Sequence, residues 1–188
     1  KLATAVPWRG VRPRFLLVTR HDDRFAAWLL HIEQRHLADL RFSEVSRALR
    51  ALSSTYVERR GRLGEGTALS GAGKRAAFAL FYGPLHYMLV REIVQAVPGA
   101  ADPAAIVDLG CGTGASSAAW AAASSDPPRI LGIDRHPWAL GEAVRTYRDF
   151  GLSARTRQGD ISTATLPKSP VSILAAFTLN EMPDGARD

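Results

Sequence analysis

The sequence predicts an α/β protein in which a helical region precedes a parallel sheet. Two patterns support this prediction. Up to residue 98 apolar residues recur at helical spacing, whereas after residue 103 short apolar runs alternate with helix-like stretches. Strands that alternate with helices in this way form parallel sheets with right-handed crossovers. We therefore predict a helical domain over residues 1–98 and an α/β domain over residues 99–188.

The first two helices are predicted from their apolar stripes. Apolar residues recur every three to four positions from Asp22 to Leu40, and Asp22 or Asp23 is placed to cap the start of this helix. A second stripe begins near Ser43, and the helix that it predicts ends before Gly61.

Glycine and proline divide the rest of the helical region. Five glycines within residues 61–73 predict a loop, because each glycine lowers helix propensity by about 1 kcal/mol. A helix is predicted from Lys74 to Phe81, Gly83-Pro84 should break or kink it, and a further helix should run from Leu85 to Val97.

Four strands and two helices are predicted in the second half. The strands are Ala104–Leu109, Arg129–Ile133, Ala154–Gln158 and Val171–Phe177. The helices between them are Ala115–Ser124 and Pro137–Phe150.

The charge of the chain is uneven. The 188 residues carry a net charge of +6, but residues 1–75 hold 15 basic and 7 acidic side chains, whereas residues 76–188 hold 9 and 11. Most of the excess is arginine, whose guanidinium group matches phosphate geometry, so a nucleic-acid partner is one interpretation. A solvated basic face is the other interpretation.

Composition excludes several classes of site. The single cysteine, Cys111, excludes an internal disulfide and leaves too few thiols for a cysteine zinc site or an iron–sulfur cluster in this stretch. His31 and His36 fall on different helix faces, so we predict no metal site. No segment approaches the roughly 18 apolar residues of a membrane span, and we expect a cytoplasmic protein without a membrane partner.

The most informative motif is a glycine-rich turn between a strand and a helix. The run Ile106–Gly114 passes from strand into a turn that contains three glycines, Gly110, Gly112 and Gly114. Glycines let a ligand approach the backbone, and a helix N-terminus offers unpaired N–H groups. A nucleotide-like ligand is therefore predicted here, with the small side chain of Cys111 against it.

Two ligand classes use such a turn. Gly110, Gly112 and Ala115 meet the spacing of a dinucleotide fingerprint, which keeps a nicotinamide or flavin cofactor open. With Asp108 and Gly114 the pattern becomes D-x-G-x-G-x-G, which resembles motif I of class I S-adenosylmethionine-dependent methyltransferases. The resemblance implies a Rossmann-like sheet, an acidic residue near the methionine ammonium and glycines along the cofactor.

Two further strand ends carry acids. Asp134, followed by Arg135, ends the second strand, where a carboxylate accepts hydrogen bonds from ribose hydroxyls in either cofactor class. Asp160 and Ile161 follow the third strand in a G-D-hydrophobic run that resembles the methyltransferase segment around the adenine. Each of these aspartates could instead cap the next helix. The predicted cofactor residues are Asp108, Gly110, Cys111, Gly112, Gly114, Asp134, Arg135, Asp160 and Ile161.

The segment after the fourth strand narrows the resemblance. Asn180 is the one polar side chain there that could grip a substrate, although it could equally cap a helix. The run Leu179–Met182, together with the aromatic segment Ala76–Tyr87, resembles the mitochondrial small-ribosomal-subunit methyltransferase-like family and its bacterial relatives. The resemblance covers about residues 70–188.

Three aromatic side chains lie just ahead of the glycine turn. Tyr82, His86 and Tyr87 flank the Gly83-Pro84 pair. They either wall the cofactor pocket or pack in the core.

The resemblance implies a function and an incomplete sheet. It implies an S-adenosylmethionine-dependent methyltransferase that acts on small-subunit ribosomal RNA through the arginine-rich region. A non-catalytic cofactor-binding assembly factor and a small-molecule methyltransferase remain alternatives. Members of the family's eukaryotic branch use a set of cysteines for an iron–sulfur cluster, and this chain lacks that set. Because class I methyltransferases have seven strands, we expect a fragment truncated after strand four, with the Val171–Phe177 edge open or covered by a partner.

Overall fold

The structure is a computed structural model that describes residues 15–58, 69–100 and 102–178. The helices are α1 (Phe15–His36), α2 (Phe42–Glu58), α3 (Ala72–Ala77), α4 (Gly83–Ala96), α5 (Ala115–Ala123) and α6 (Pro137–Asp149). A π turn, Phe78–Tyr82, joins α3 to α4, and a 3-10 turn covers Ile161–Thr163. The strands are β1 (Ala105–Leu109), β2 (Arg129–Asp134), β3 (Ala154–Gln158) and β4 (Ser172–Leu174).

The strands form one parallel sheet in the order β3-β2-β1-β4. β1 pairs with β2 over its whole length and with β4 over residues 106–108. The chain moves outward from β1 through β2 to β3 and then returns to place β4 on the other side of β1. This arrangement confirms the predicted α/β, Rossmann-like fold.

β4 is shorter than predicted. It covers Ser172–Leu174 rather than Val171–Phe177, and it lies at an edge of the sheet that the described residues form. The strand cannot continue through Phe177, because this residue has a φ of 62° and turns the backbone out of the extended region.

α1 differs from its prediction at both ends. It begins at Phe15, so Asp22 and Asp23 lie inside the helix rather than at its cap, and it ends at His36 rather than Leu40. Neither aspartate has a helix-breaking neighbour on its N-terminal side, so the helix extends past both. α2 begins one residue before Ser43.

Gly83-Pro84 is predicted to break or kink the helix, and the break is wrong. Residues 72–96 form one continuous helical run through α3, the π turn and α4, and Gly83 has helical angles. Proline supplies no N–H and crowds the preceding turn of an α-helix. The π turn immediately before Pro84 shifts the hydrogen bonds by one residue, so the run accommodates the proline without ending.

One apolar core joins the helical region to the sheet region. Trp28 and Tyr87 are both buried and pack with Ile106 and Phe150. The Trp28 indole Nε1 also donates a hydrogen bond to Thr146 Oγ1 at 3.2 Å. The core therefore runs across the boundary at residues 98 and 99, and the division into two domains stays a prediction.

Ion pairs also hold α1 on α6. The buried Glu142 carboxylate on α6 lies 3.2 Å from Arg35 Nη2 and 3.3 Å from His36 Nε2, both on α1, and 2.7 Å from Arg145 Nη1 within α6 itself. Arg35 also lies 3.7 Å from Asp149. These pairs lower the pKa of Glu142 against the opposing effect of burial, so the carboxylate stays charged.

The described residues contain neither a membrane-spanning helix nor a cluster of metal ligands. No helix in that part of the chain is long and apolar enough to cross a bilayer. The same residues contain no group of three or more His, Cys, Asp or Glu side chains that could hold a metal ion.

Trp28→Ala should lower the free energy of unfolding by about 3–5 kcal/mol, because it removes a buried indole from the centre of the shared core. Urea unfolding followed by circular dichroism measures the change. Leu30→Ala is the control on the same helix, since Leu30 is 57% exposed, and it should change stability by less than about 0.5 kcal/mol. Equal losses in the two variants would contradict the shared core.

Candidate functional site

The glycine turn after β1 is fastened to the end of β2. The backbone N–H groups of Gly110 and Cys111 donate to the Ile133 carbonyl at 2.8 and 3.0 Å. The N–H of Gly112 donates to Asp134 Oδ2 at 2.8 Å. The turn thus lies at the carboxyl edge of the sheet, where parallel α/β folds bind their ligands.

The turn requires glycine for conformation and for space. Gly110, Gly112 and Gly114 have φ values of 73°, 52° and 75°, which side chains other than glycine rarely adopt. A Cβ on Gly114 would also lie 2.8 Å from Tyr147 Cζ. The glycines therefore allow both the sharp turn and the close packing of neighbouring side chains at the N-terminus of α5.

Asp108 is buried directly below this turn. Its side chain is 1% exposed, and its Oδ2 has no hydrogen-bond partner among the described residues. Burial, with a smaller contribution from the Asp134 charge, raises the pKa of Asp108 to about 7, although hydrogen bonding to Ser117 opposes the rise. An unsatisfied buried carboxyl oxygen destabilises the free protein and would be satisfied by a ligand ammonium group.

Asp134 holds the turn in place. Its Oδ2 accepts the hydrogen bond from Gly112, and its Oδ1 accepts one from the N–H of His136 at 2.8 Å. Each carboxylate oxygen retains a further lone pair, so these bonds leave room for ribose hydroxyls. Its predicted role as a ribose clamp stays a prediction, and the structure adds a second role in organising the turn.

Asp160, Arg135 and Ile161 lie together at the ends of β2 and β3. Asp160 Oδ1 accepts hydrogen bonds from the Ser162 N–H at 2.9 Å and the Ser162 hydroxyl at 2.6 Å. It therefore caps the 3-10 turn that begins at Ile161, as the alternative interpretation allows. Arg135 Nη1 lies 3.9 Å from Asp160 Oδ2. Their predicted contacts with adenine stay predictions.

The side chain of Cys111 points into the core rather than out of the turn. Its Sγ lies beside Gly132, where an added Cβ would be 2.9 Å away, and Tyr147 packs at the same place. Burial and the neighbouring carboxylates raise the pKa of the thiol, so it is protonated at neutral pH. Any contact of Cys111 with a cofactor must come from its backbone.

Three residues that the sequence reasoning did not assign also contact the turn. Phe78 lies over Gly112, and Thr178 lies against Gly110 and donates from Oγ1 to the Leu109 carbonyl at 3.1 Å. Tyr147 lies behind the turn and shares a 2.9 Å hydrogen bond with the Ser117 hydroxyl. Thr178 could have been found from its position after the fourth strand, at the same edge of the sheet. No sequence pattern singles out Tyr147 within α6.

The aromatic residues ahead of the turn have separate roles. Tyr87 is buried in the core, in agreement with one of the two interpretations. The Tyr82 hydroxyl lies 3.0 Å from the Ser53 hydroxyl on α2. His86 stacks on Phe177 with ring centroids 3.9 Å apart.

The proposed substrate residue lies outside the described residues. This applies to Asn180 and to the rest of the run Leu179–Met182. Its predicted grip on a substrate stays a prediction.

A separate cavity of about 220 Å³ lies between α1, α3 and α6. Arg35, Arg75 and Trp138 line it, and none of them is a predicted site residue. Both arginines have partners within the protein, since Arg35 pairs with Glu142, and Arg75 donates to the Leu69 carbonyl and lies over the Trp138 ring. We therefore place the candidate site at the glycine turn and not in this cavity.

Residues 106–188 match the family model described as "Methyltransferase domain". The match begins in β1 and includes every predicted cofactor residue. It confirms the methyltransferase domain that the motifs predict for this part of the chain and supports S-adenosylmethionine as its cofactor. No curated protein matches the chain.

Solved structures of similar fold include three methyltransferases. The apo form of the S-adenosylmethionine-dependent methyltransferase SibL is 24% identical, with 82% of this chain and 46% of SibL covered and a TM-score of 0.45. The SAH-bound Podospora anserina methyltransferase PaMTH1 is 13% identical, with 86% and 55% covered and a TM-score of 0.31. The plantazolicin methyltransferase BamL is 14% identical, with 78% and 42% covered and a TM-score of 0.29. The chain spans about half the length of these proteins.

Asp108→Asn should stabilise the ligand-free protein increasingly as the pH rises. The pKa of Asp108 is raised from 3.8 to about 7, so the folded state binds the proton more tightly than the unfolded state. The wild type therefore loses stability as the pH rises through this window, and a neutral amide does not. Thermal unfolding between about pH 5 and pH 8 should give a midpoint difference that grows with pH.

Asp126→Asn is the matched control, because Asp126 is an exposed aspartate beyond the C-terminal end of α5. Its midpoint should follow that of the wild type across the same range. A pH-independent difference for Asp108→Asn would contradict a buried carboxyl with a raised pKa.

Proposed function

We propose that this protein binds S-adenosylmethionine at the glycine turn and transfers its methyl group to ribosomal RNA of the small subunit. The cofactor part rests on Asp108 Oδ2, which is buried and has no hydrogen-bond partner among the described residues, close to a glycine turn that Asp134 binds at Gly112. The family match over residues 106–188 supports the same chemistry.

The residues present fit this cofactor. Asp108 Oδ2 would accept a hydrogen bond from the methionine ammonium group, which is the kind of partner that a buried carboxylate requires. The glycines would let the cofactor lie against the backbone, and the free lone pairs of Asp134 would receive the ribose hydroxyls. Ile161 and Arg135 would border the adenine.

The protein then needs few catalytic side chains. When bound, S-adenosylmethionine supplies a methyl group that its sulfonium already makes electrophilic. Asp108 and Asp134 would fix the cofactor's position, and Phe78 and Thr178 lie against the turn beside it. Alignment of the acceptor with the methyl group is the remaining requirement, and alignment alone lowers a reaction barrier substantially.

Part of the arginine excess supports an RNA acceptor, and part of it does not. Arg24 donates to the Phe150 carbonyl, and Arg35 belongs to the ion pairs between α1 and α6, so these two stabilise the fold. Arg41, Arg47 and Arg50, by contrast, are exposed along α2 and its start. Two exposed arginines on α2, with a third just before the helix, form an electrostatic surface suited to phosphates.

Asp134→Ala should weaken S-adenosylmethionine binding at least about ten-fold, because hydrogen bonds to a charged group contribute about 1.5–3 kcal/mol each. Calorimetry of the wild type and the variant measures this. Asp126→Ala, with an exposed carboxylate away from the turn, should bind as the wild type does. Absence of binding to the wild type would refute the cofactor assignment.

Removal of Arg47 and Arg50 should reduce the salt dependence of RNA binding. In gel shifts with a small-subunit ribosomal RNA fragment at several salt concentrations, Arg47→Ala with Arg50→Ala should lower the slope of log affinity against log salt by about 2. Arg129→Ala with Arg155→Ala removes the same charge from exposed residues of β2 and β3 and should leave the slope unchanged. Equal losses in the two double variants, or no salt dependence, would count against the α2 surface.

Methyl transfer from labelled S-adenosylmethionine to ribosomal RNA, assayed with the whole protein, separates an enzyme from a cofactor-binding assembly factor. An enzyme labels the RNA, and Asp134→Ala abolishes the labelling. Cofactor and RNA binding without labelling would favour the assembly factor.

A further inference from the structure

A stacked pair of rings lies beside the glycine turn and is not used by the cofactor site. His86 on α4 and Phe177 after β4 have ring centroids 3.9 Å apart and ring planes 12° apart. Phe177 remains 43% exposed, so part of its ring is open. We call this pair the ring platform.

The backbone at the ring platform is strained. Phe177 has a φ of 62° and is the one non-glycine residue with a positive φ among the described residues. Such a conformation is unfavourable for a bulky side chain and persists where the surroundings require it. Here it directs two neighbouring side chains to different contacts. Phe177 stacks on His86, and Thr178 lies against Gly110.

The ring platform lies at the carboxyl ends of β1 and β4, where open α/β sheets bind their ligands. Because the sheet order is β3-β2-β1-β4, the chain changes direction between β1 and β4, and open α/β sheets bind ligands outside the carboxyl ends of such strands. Phe177 and Thr178 follow β4, and Thr178 bonds to the last residue of β1. Phe78, which lies over Gly112, also contacts His86 edge to face with centroids 6.2 Å apart. The ring platform is therefore joined to the turn through two neighbours, Thr178 at Gly110 and Phe78 at Gly112.

The chemistry of the ring platform is planar and uncharged. Burial lowers the pKa of His86 to about 4, so its imidazole is neutral at physiological pH. A neutral imidazole against a phenyl ring offers a stacking surface and ring-nitrogen hydrogen bonding, but no charge for a carboxylate or a phosphate.

We propose that the ring platform binds the methyl acceptor, and that the acceptor presents an uncharged planar heteroaromatic ring of the kind found in a nucleobase. The proposal rests on the proposed methyltransferase function and adds the chemical class of the reacting group. The cofactor would occupy the β1 and β2 side of the turn, and the acceptor ring would occupy the β1 and β4 side. Phe177 would stack on that ring, and His86 would fix the orientation of Phe177.

The test uses 2-aminopurine, whose fluorescence is quenched when it stacks. Two probes are titrated into the protein with S-adenosylhomocysteine present, the free 2-aminopurine riboside and a single-stranded RNA oligonucleotide that carries one 2-aminopurine. Phe177→Leu keeps an apolar side chain without a ring and should weaken binding about ten-fold or more. Phe177→Trp keeps a stacking ring and should bind at least as tightly as the wild type.

Two further variants separate binding from folding. Phe177→Gly removes the ring and suits the positive φ, so it should fold at least as stably as the wild type and still lose the probe. Phe81→Leu is the matched control, because Phe81 is 47% exposed on the adjoining π turn and its ring is not part of the platform. It should bind both probes as the wild type does.

The outcomes distinguish this proposal from the proposed function. Quenching of the riboside probe supports recognition of the ring by itself. Quenching of the oligonucleotide probe but not of the riboside supports RNA as the source of that ring. No quenching by either probe, or wild-type quenching in Phe177→Gly and Phe177→Leu, would overturn the ring platform. Calorimetry should give the wild type and these variants equal affinities for S-adenosylmethionine. A negative result at the ring platform would then leave the cofactor assignment standing.

Discussion

Everything at the candidate site depends on how the glycine turn is fastened to β2. Three consecutive N–H groups donate to the end of that strand, two to the Ile133 carbonyl and one to the Asp134 carboxylate. These bonds fix the start of α5 relative to the sheet. They also hold Asp134 near Asp108, which contributes to the raised pKa of the buried carboxyl. The free protein therefore carries an electrostatic cost that a cationic ligand group would remove.

The helical region is part of this arrangement rather than an appendage. Trp28 packs in the same core as Ile106 and Phe150, and the pairs of Glu142 hold α1 against α6. The π turn in front of α4 also connects the helical region to the candidate site, because Phe78 at its start lies over Gly112. A π turn within a helix is often found at functional sites, and here it brings the helical region onto the turn.

The elements that the sequence predicted well have strong local signals. The strands after residue 103, the helices between them and the glycine turn follow from apolar runs and glycine spacing, which act within a few residues. The errors arose where local signals compete with tertiary contacts. Asp22 and Asp23 look like caps but lie within α1, and Gly83-Pro84 looks like a break but follows a π turn. Asp160 caps the next turn, as one of its two interpretations allows, and its contact with adenine stays a prediction.

The sequence by itself determined the α/β class, the order of helices and strands, and the positions of Asp108, Asp134 and the three glycines at strand ends. These features are local, because strand ends and turns are marked by neighbouring residues. Only the tertiary structure decided that Asp108 has an oxygen without a hydrogen-bond partner among the described residues, that Cys111 faces the core, and that Phe177 stacks on His86. Those facts depend on contacts between residues far apart in the chain, and burial and stacking are properties of the assembled fold.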